Sequence, residues 1–101
     1  MDLIGIKIKD KDKAVDCIKI LRKFSEMSVG EIKEKIQSGD FVFECSYTDS
    51  DGLAQVISLY REFSAAEIEA EIFEHGRLTD IDFLENLLNT YKEIDEENYD
   101  Q

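Results

Sequence analysis

Residues 13–36, KAVDCIKILRKFSEMSVGEIKEKI, hold two amphipathic helical patterns with almost no connector between them. In the first, Ala14, Val15, Ile18, Leu21 and Phe24 recur at three-and-four spacing, and Cys17 and Ile20 widen the stripe. That spacing suits a helix with one side buried and the other wet. The break falls at Ser25–Met27. Ser28 is placed to cap the second helix, with Glu31 three residues on as a capping box requires. Ile32 and Ile36 supply its buried face, and Gly39 ends it. Two short helices joined this tightly cannot cover both apolar stripes with each other. They need a sheet beneath them.

The chain offers strands on both sides of the pair. From Leu3 to Lys9, Ile4, Ile6 and Ile8 alternate with Gly5, Lys7 and Lys9, the pattern of a half-buried strand. The segment KDKDK then reads as a solvated turn, with Asp12 a candidate cap. After Gly39, FVFECSY predicts a second strand with Phe41, Phe43, Cys45 and Tyr47 on one face and Val42, Glu44 and Ser46 on the other. TDSDG turns the chain into a third helix, Leu53 to about Ala66, capped by Ser50 or Asp51. Next, Ile68, Ala70 and Ile72 alternate with Glu67, Glu69 and Glu71. A strand explains the alternation, yet Glu and Ala also favour helices, so both readings stand. Glu74–Arg77 closes this segment as a turn, and Thr79 precedes a fourth helix, Ile81 to Ile94. Residues 1–94 read as one domain, and the polar run from Asp95 to Gln101 reads as a frayed tail.

The helical pair resembles the C-terminal domain of the bacterial ribosomal stalk protein, which shares its fold with the Clp protease adaptor. The likeness rests on Cys17, Ile18, Lys19, Leu21, Arg22, Ser25, Glu26, Met27, Ser28, Val29, Gly30, Glu31, Ile32, Lys33 and Ile36, in register without a gap. Glu26 and Ser28 stand where that family has loop glycines, and Gly30 where it has a lysine. The resemblance implies an α+β fold in two layers. The order is strand, two helices, strand, helix, strand: a three-stranded sheet covered on one face by helices, with an additional C-terminal helix. It also implies a strand at residues 67–73 and a protein-binding role for the basic helical face, here Lys19, Arg22 and Lys33.

At 101 residues one self-sufficient core is feasible. No stretch approaches the roughly 20 apolar residues of a membrane span, and the N-terminus lacks the long apolar region of a signal peptide. Cys17 and Cys45 lie inside apolar patterns and read as buried, reduced thiols of a cytoplasmic protein. The formal net charge of −12 is unevenly spread: residues 1–36 balance at +2 and residues 37–101 at −14. A surface of that sign disfavours nucleic acid and anionic membrane and favours basic partners.

Catalysis finds little support. The single histidine, His75, sits in a glycine-containing turn, and no Ser-His-Asp or Cys-His set is apparent. Clustered metal ligands and phosphate-binding glycine loops are missing, so no enzyme, metal or cofactor is expected. The informative feature is acidic. A third strand places Glu67, Glu69 and Glu71 on the open sheet face at about 7 Å spacing, with Glu44 on the second strand. Asp49, Asp51, Asp80 and Asp82 extend the field. This arrangement points to an immunity protein that neutralises a basic toxin domain, with a nuclease the first candidate. It is similar in character to the immunity proteins of contact-dependent growth inhibition systems. The alternative is a module like the stalk domain or the Clp adaptor, binding through Lys19, Arg22 and Lys33. Either reading is compatible with a monomer or a weak homodimer anchored by Phe73 or Tyr91.

Overall fold

The computed structural model describes residues 3–99, with side chains as far as residue 94. Its central element is the isoleucine strand β1 (Leu3–Ile8). There Ile4, Ile6 and Ile8 point to one side and are at most 4% exposed. A 3-10 turn at Lys11–Lys13 leads into α1 (Ala14–Leu21), followed by α2 (Val29–Ser38), β2 (Phe43–Ser46) and α3 (Ser50–Ala65). β3 (Ala70–Glu74), β4 (Arg77–Thr79) and α4 (Ile81–Tyr99) complete the order. The sheet is antiparallel, in the order β2-β1-β3-β4. α3 crosses β1, β2 and β3 on the isoleucine side, with α1 and α4 flanking it and α2 beside α1. One core joins these layers, from Ile4, Ile6 and Ile72 to Leu21, Ile32, Ile36, Leu53, Phe63 and Leu84.

Local chemistry accounts for most element ends. The Ser28 side chain accepts the Glu31 N–H at 3.2 Å, and Ile32 and Ile36 are buried. α2 ends with Gly39 in the left-handed region at φ 77°; its N–H bonds the Ile36 carbonyl and the next N–H, of Asp40, bonds that of Lys35. This is a Schellman motif, in which glycine avoids the penalty a Cβ incurs.

α3 ends the same way, without glycine. Glu67 stands at φ 61°, its N–H bonds the Ser64 carbonyl, and the Ile68 N–H bonds that of Phe63 at 2.8 Å. Glu67 therefore belongs to the helix terminus and not to the strand alternation expected of it. β3 begins only at Ala70.

Other expectations need correction. The sheet has four strands because His75 and Gly76 both adopt positive φ, 51° and 79°. That two-residue turn matches the twist of a tight hairpin and brings β4 back beside β3. Asp49, not Ser50 or Asp51, caps α3, accepting the Gly52 N–H at 3.0 Å. Asp80, not Thr79, caps α4, accepting the Phe83 N–H at 2.9 Å. Asp12 lies within the 3-10 turn and does not cap a helix. Val15 is 67% exposed, while Cys17 and Leu21 carry the buried side of α1. Along α4 the backbone stays helical through residues 95–99. Extending an existing helix adds a hydrogen bond for each residue fixed, and glutamate is a good helix former.

The second strand breaks its own alternation. The Val42 N–H bonds the Ile6 carbonyl at 2.9 Å, and Phe43 is also the register partner of Ile6. Two residues thus oppose one, which defines a bulge. Val42 is buried at 1% exposure, while Phe43 and Cys45 follow the core side. Phe41 is displaced to the opposite face, where its ring covers Gly5. There it meets Phe73 edge-on at 5.7 Å, and the Lys7 ammonium lies 4.7 Å from the Phe41 ring and 5.0 Å from that of Phe73.

The left-handed geometry of Glu67 makes a sign-specific prediction. Replacing Glu67 by Gly should stabilise the fold by about 0.5–1 kcal/mol, since glycine occupies that region without steric cost. Urea denaturation measures it. A loss of stability of similar size would place residue 67 in extended backbone instead.

Candidate functional site

The eight carboxylates expected to form one acidic site are distributed among separate structural tasks. On β3, Glu71 is the register partner of Lys7. Glu69 lies one step further along; its backbone carbonyl accepts the Lys9 N–H at 2.9 Å, and its carboxylate lies 3.6 Å from the Lys9 ammonium. Lys9 pairs with Glu69, and Lys7 faces Glu71 in register while its ammonium rests over Phe41 and Phe73, so a lysine stands opposite each of these glutamates and offsets their mutual repulsion. Glu67 terminates α3. Glu44 is exposed on β2, opposite Gly5, with the whole of β1 between it and β3. Asp49 and Asp80 are spent as helix caps. Asp51 and Asp82 occupy the first turns of α3 and α4, where the helix dipole favours negative charge. The eight carboxylates are thus spread over β2, β3 and its approach, the end of α3 and the starts of α3 and α4.

The sequence signal for this outcome was available. Lys7 and Lys9 share the parity of Gly5, and an antiparallel pairing with residues 69–73 that keeps Ile6, Ile8 and Ile72 on one face sets lysine against glutamate. The register alone decided which, and a one-residue slip changes every pairing.

The three cations of the basic helical face are placed differently. Lys19, Arg22 and Lys33 are exposed, and among the described residues none enters an ion pair. Their neighbours at helical spacing are apolar and exposed: Val15 at 67%, one turn from Lys19, and Val29 at 50%, one turn from Lys33. Lys23, on the other flank of α1, pairs with Glu62 of α3. Lys11 reaches from the 3-10 turn to the Gln37 carbonyl of α2 at 3.1 Å. Helical periodicity thus sets Val15, Lys19 and Arg22 together on the exposed side of α1, away from the buried Cys17 and Leu21. Val29 and Lys33 lie one turn apart on α2, the helix beside α1. The two helices thus carry two exposed valines and, among the described residues, three cations without an ion pair.

Other chemistry-bearing groups hold the structure together. The Glu74 carboxylate, 12% exposed, accepts from Arg77 at 3.0 Å and lies 3.2 Å from the His75 ring nitrogen. The His75 ring stacks at 4.5 Å on Tyr47. The Tyr91 hydroxyl donates to the Tyr47 carbonyl at 2.8 Å, and burial followed by the neighbouring Tyr47 raises its pKa. Arg61 pairs with Glu85. These contacts fix α4 against α3 and β2, so Tyr91, like Phe73 against Phe41, is engaged within the chain. Among the described residues no group of three His, Cys, Asp or Glu is disposed to hold a metal ion.

Comparison with family models, curated proteins and solved structures finds no match.

Both cysteines are free and buried. Burial first, then Asp16 and Asp10, pushes the Cys17 thiol up to about 11; burial and then Asp49 does the same for Cys45. At pH 8 only about one thiol in a thousand is then ionised, and the thiolate is the reactive form. Ellman's reagent should leave both thiols unmodified in the native protein and titrate both in denaturant. Rapid native labelling of either would contradict this burial.

Proposed function

We propose that this chain is a protein-binding module whose α1–α2 face receives an acidic segment of a partner protein. One observation carries the reading: Lys19, Arg22 and Lys33 are exposed cations that enter no ion pair among the described residues, and Val15 and Val29 share their helices. Apolar contact supplies burial, while unmatched charge selects the partner and speeds the encounter. The chain's overall negative charge opposes an acidic partner only weakly at this face, because exposed charges beyond roughly 8–10 Å are screened at physiological salt. These three cations are also positions at which the helix pair resembles the ribosomal stalk domain.

The competing reading, inhibition of a basic toxin domain, has the −14 balance of residues 37–101 in its favour. It depended on Glu67, Glu69 and Glu71 acting with Glu44 as one unmatched surface, and lysines of β1 oppose two of the four.

Charge reversal separates the readings. Lys19→Glu with Arg22→Glu should weaken retention of the natural partner from source cells at least tenfold and leave the thermal midpoint within a few degrees. Glu69→Lys with Glu71→Lys should leave retention unchanged. The opposite pattern would overturn the proposal in favour of the inhibitor.

A further inference from the structure

A second feature of the fold lies at the edge of the sheet. β2 is a terminal strand of the sheet, and the hydrogen-bond parity of β1 determines which of its backbone groups are unused. Lys9 N–H bonds Glu69, and His75 N–H bonds Leu3 at 3.0 Å, so odd residues of β1 turn their backbone toward β3. Ile4 and Ile6 therefore turn theirs toward β2, engaging Cys45 and Phe43. The N–H and C=O of Glu44, and the N–H of Ser46, point outward from the sheet; the Ser46 carbonyl is taken by Asp49 N–H at 3.0 Å. Beside this edge lies a cleft of about 300 Å³, lined by Met27, Phe41, Phe43, Ser25, Lys35 and Glu44. Lys35 enters no ion pair among the described residues, and its ammonium is available to a main-chain carbonyl.

We infer that the free edge of β2 docks an extended, basic strand of another protein by adding it to the sheet, with an apolar side chain of that strand entering the adjoining cleft. The pleat dictates the alternation. A residue set beside Phe43 or Cys45 points to the cleft side, where Met27 and Phe43 receive it. A residue set beside Glu44 points to the open face and meets its carboxylate. Charge selects the occupant: Glu31, Glu34 and Asp40 border the same side of α2, with Lys35 the one cation among them. A second copy of this chain would bring Glu44 against Glu44 or its acidic surroundings, and like charges across a strand pair are unfavourable. The opposite edge differs. β4 has three residues, carries Arg77, and contributes no residue to the cleft beside β2. Strand addition of this kind takes affinity from main-chain bonds and specificity from alternate side chains.

The test uses an acetylated, amidated pentapeptide alternating lysine and leucine, titrated into the whole chain and followed by amide chemical shifts. Perturbations should centre on residues 42–46 and Met27. N-methylation of the three central peptide amides, or Glu44→Lys in the protein, should weaken binding about tenfold or more. Glu44→Gln provides a milder variant should the reversal unfold the strand, with a smaller loss expected. The Lys19→Glu, Arg22→Glu protein should bind the peptide as the parent does, so this proposal and the α1–α2 reading fail separately. Equal affinity of the N-methylated peptide, equal affinity of a glutamate–leucine counterpart, perturbation of another surface, or no binding at millimolar peptide would each overturn it. So would shifts at the same residues that depend on protein concentration alone, which would assign the edge to a second copy.

Discussion

The burial of Ile4, Ile6 and Ile8 on a single face of one strand organises this molecule. A central strand with one fully buried face must be covered on that face and paired on both edges. α3 supplies most of the cover, and β2 and β3 supply the edges. Burying an isoleucine fully is worth about 1.5–3 kcal/mol, whereas an exposed ion pair contributes at most about 1 kcal/mol. The register of the sheet is therefore set by the isoleucines, and the charges follow. Lys7 and Lys9 face Glu71 and Glu69 because Ile6 and Ile8 face Ile72 and Ala70.

That subordination of charge to register bears on the proposed function. A count of acidic residues suggests a surface awaiting a basic partner, and the net charge supports it. Position by position, Asp49 and Asp80 cap helices, Asp51 and Asp82 sit in first turns, Glu67 ends α3, Glu69 and Glu71 face lysines, and Glu44 stays exposed on β2. The groups left without structural employment are fewer and lie elsewhere. On the exposed sides of α1 and α2 they are basic and accompanied by valines; along the β2 edge they are backbone amides beside an acidic rim.

Much of the architecture was legible because its determinants are local. The Ser28 cap, the Gly39 stop and the β1 alternation each involve residues a few positions apart, and all are present as read; Glu31 meets the Ser28 hydroxyl and not its backbone N–H, so only half of the capping box forms. The failures share a cause. The bulge at Val42–Phe43 depends on Ile6, distant in sequence, and moves Phe41 to the other face. Glu67 enters the left-handed region because Ile68 is drawn into the core at 3% exposure, and helix termination takes precedence over the glutamate's own preference. β4 was hidden because its hairpin turn uses His75 at positive φ, where Asn or Gly would have announced it. For the site, residue types were read correctly and their company was not, since company is a matter of register.

The central claim is that Glu69 and Glu71 each face a lysine across the strand pair and are not held in mutual repulsion. It is tested most directly by the folding stability of Glu69→Gln and Glu71→Gln in urea at low ionic strength. Matched charges predict that each substitution destabilises the protein, by about 0.2–1 kcal/mol, and that added salt reduces the loss. A gain in stability from both would show repelling carboxylates, and would return the acidic face to the centre of the account.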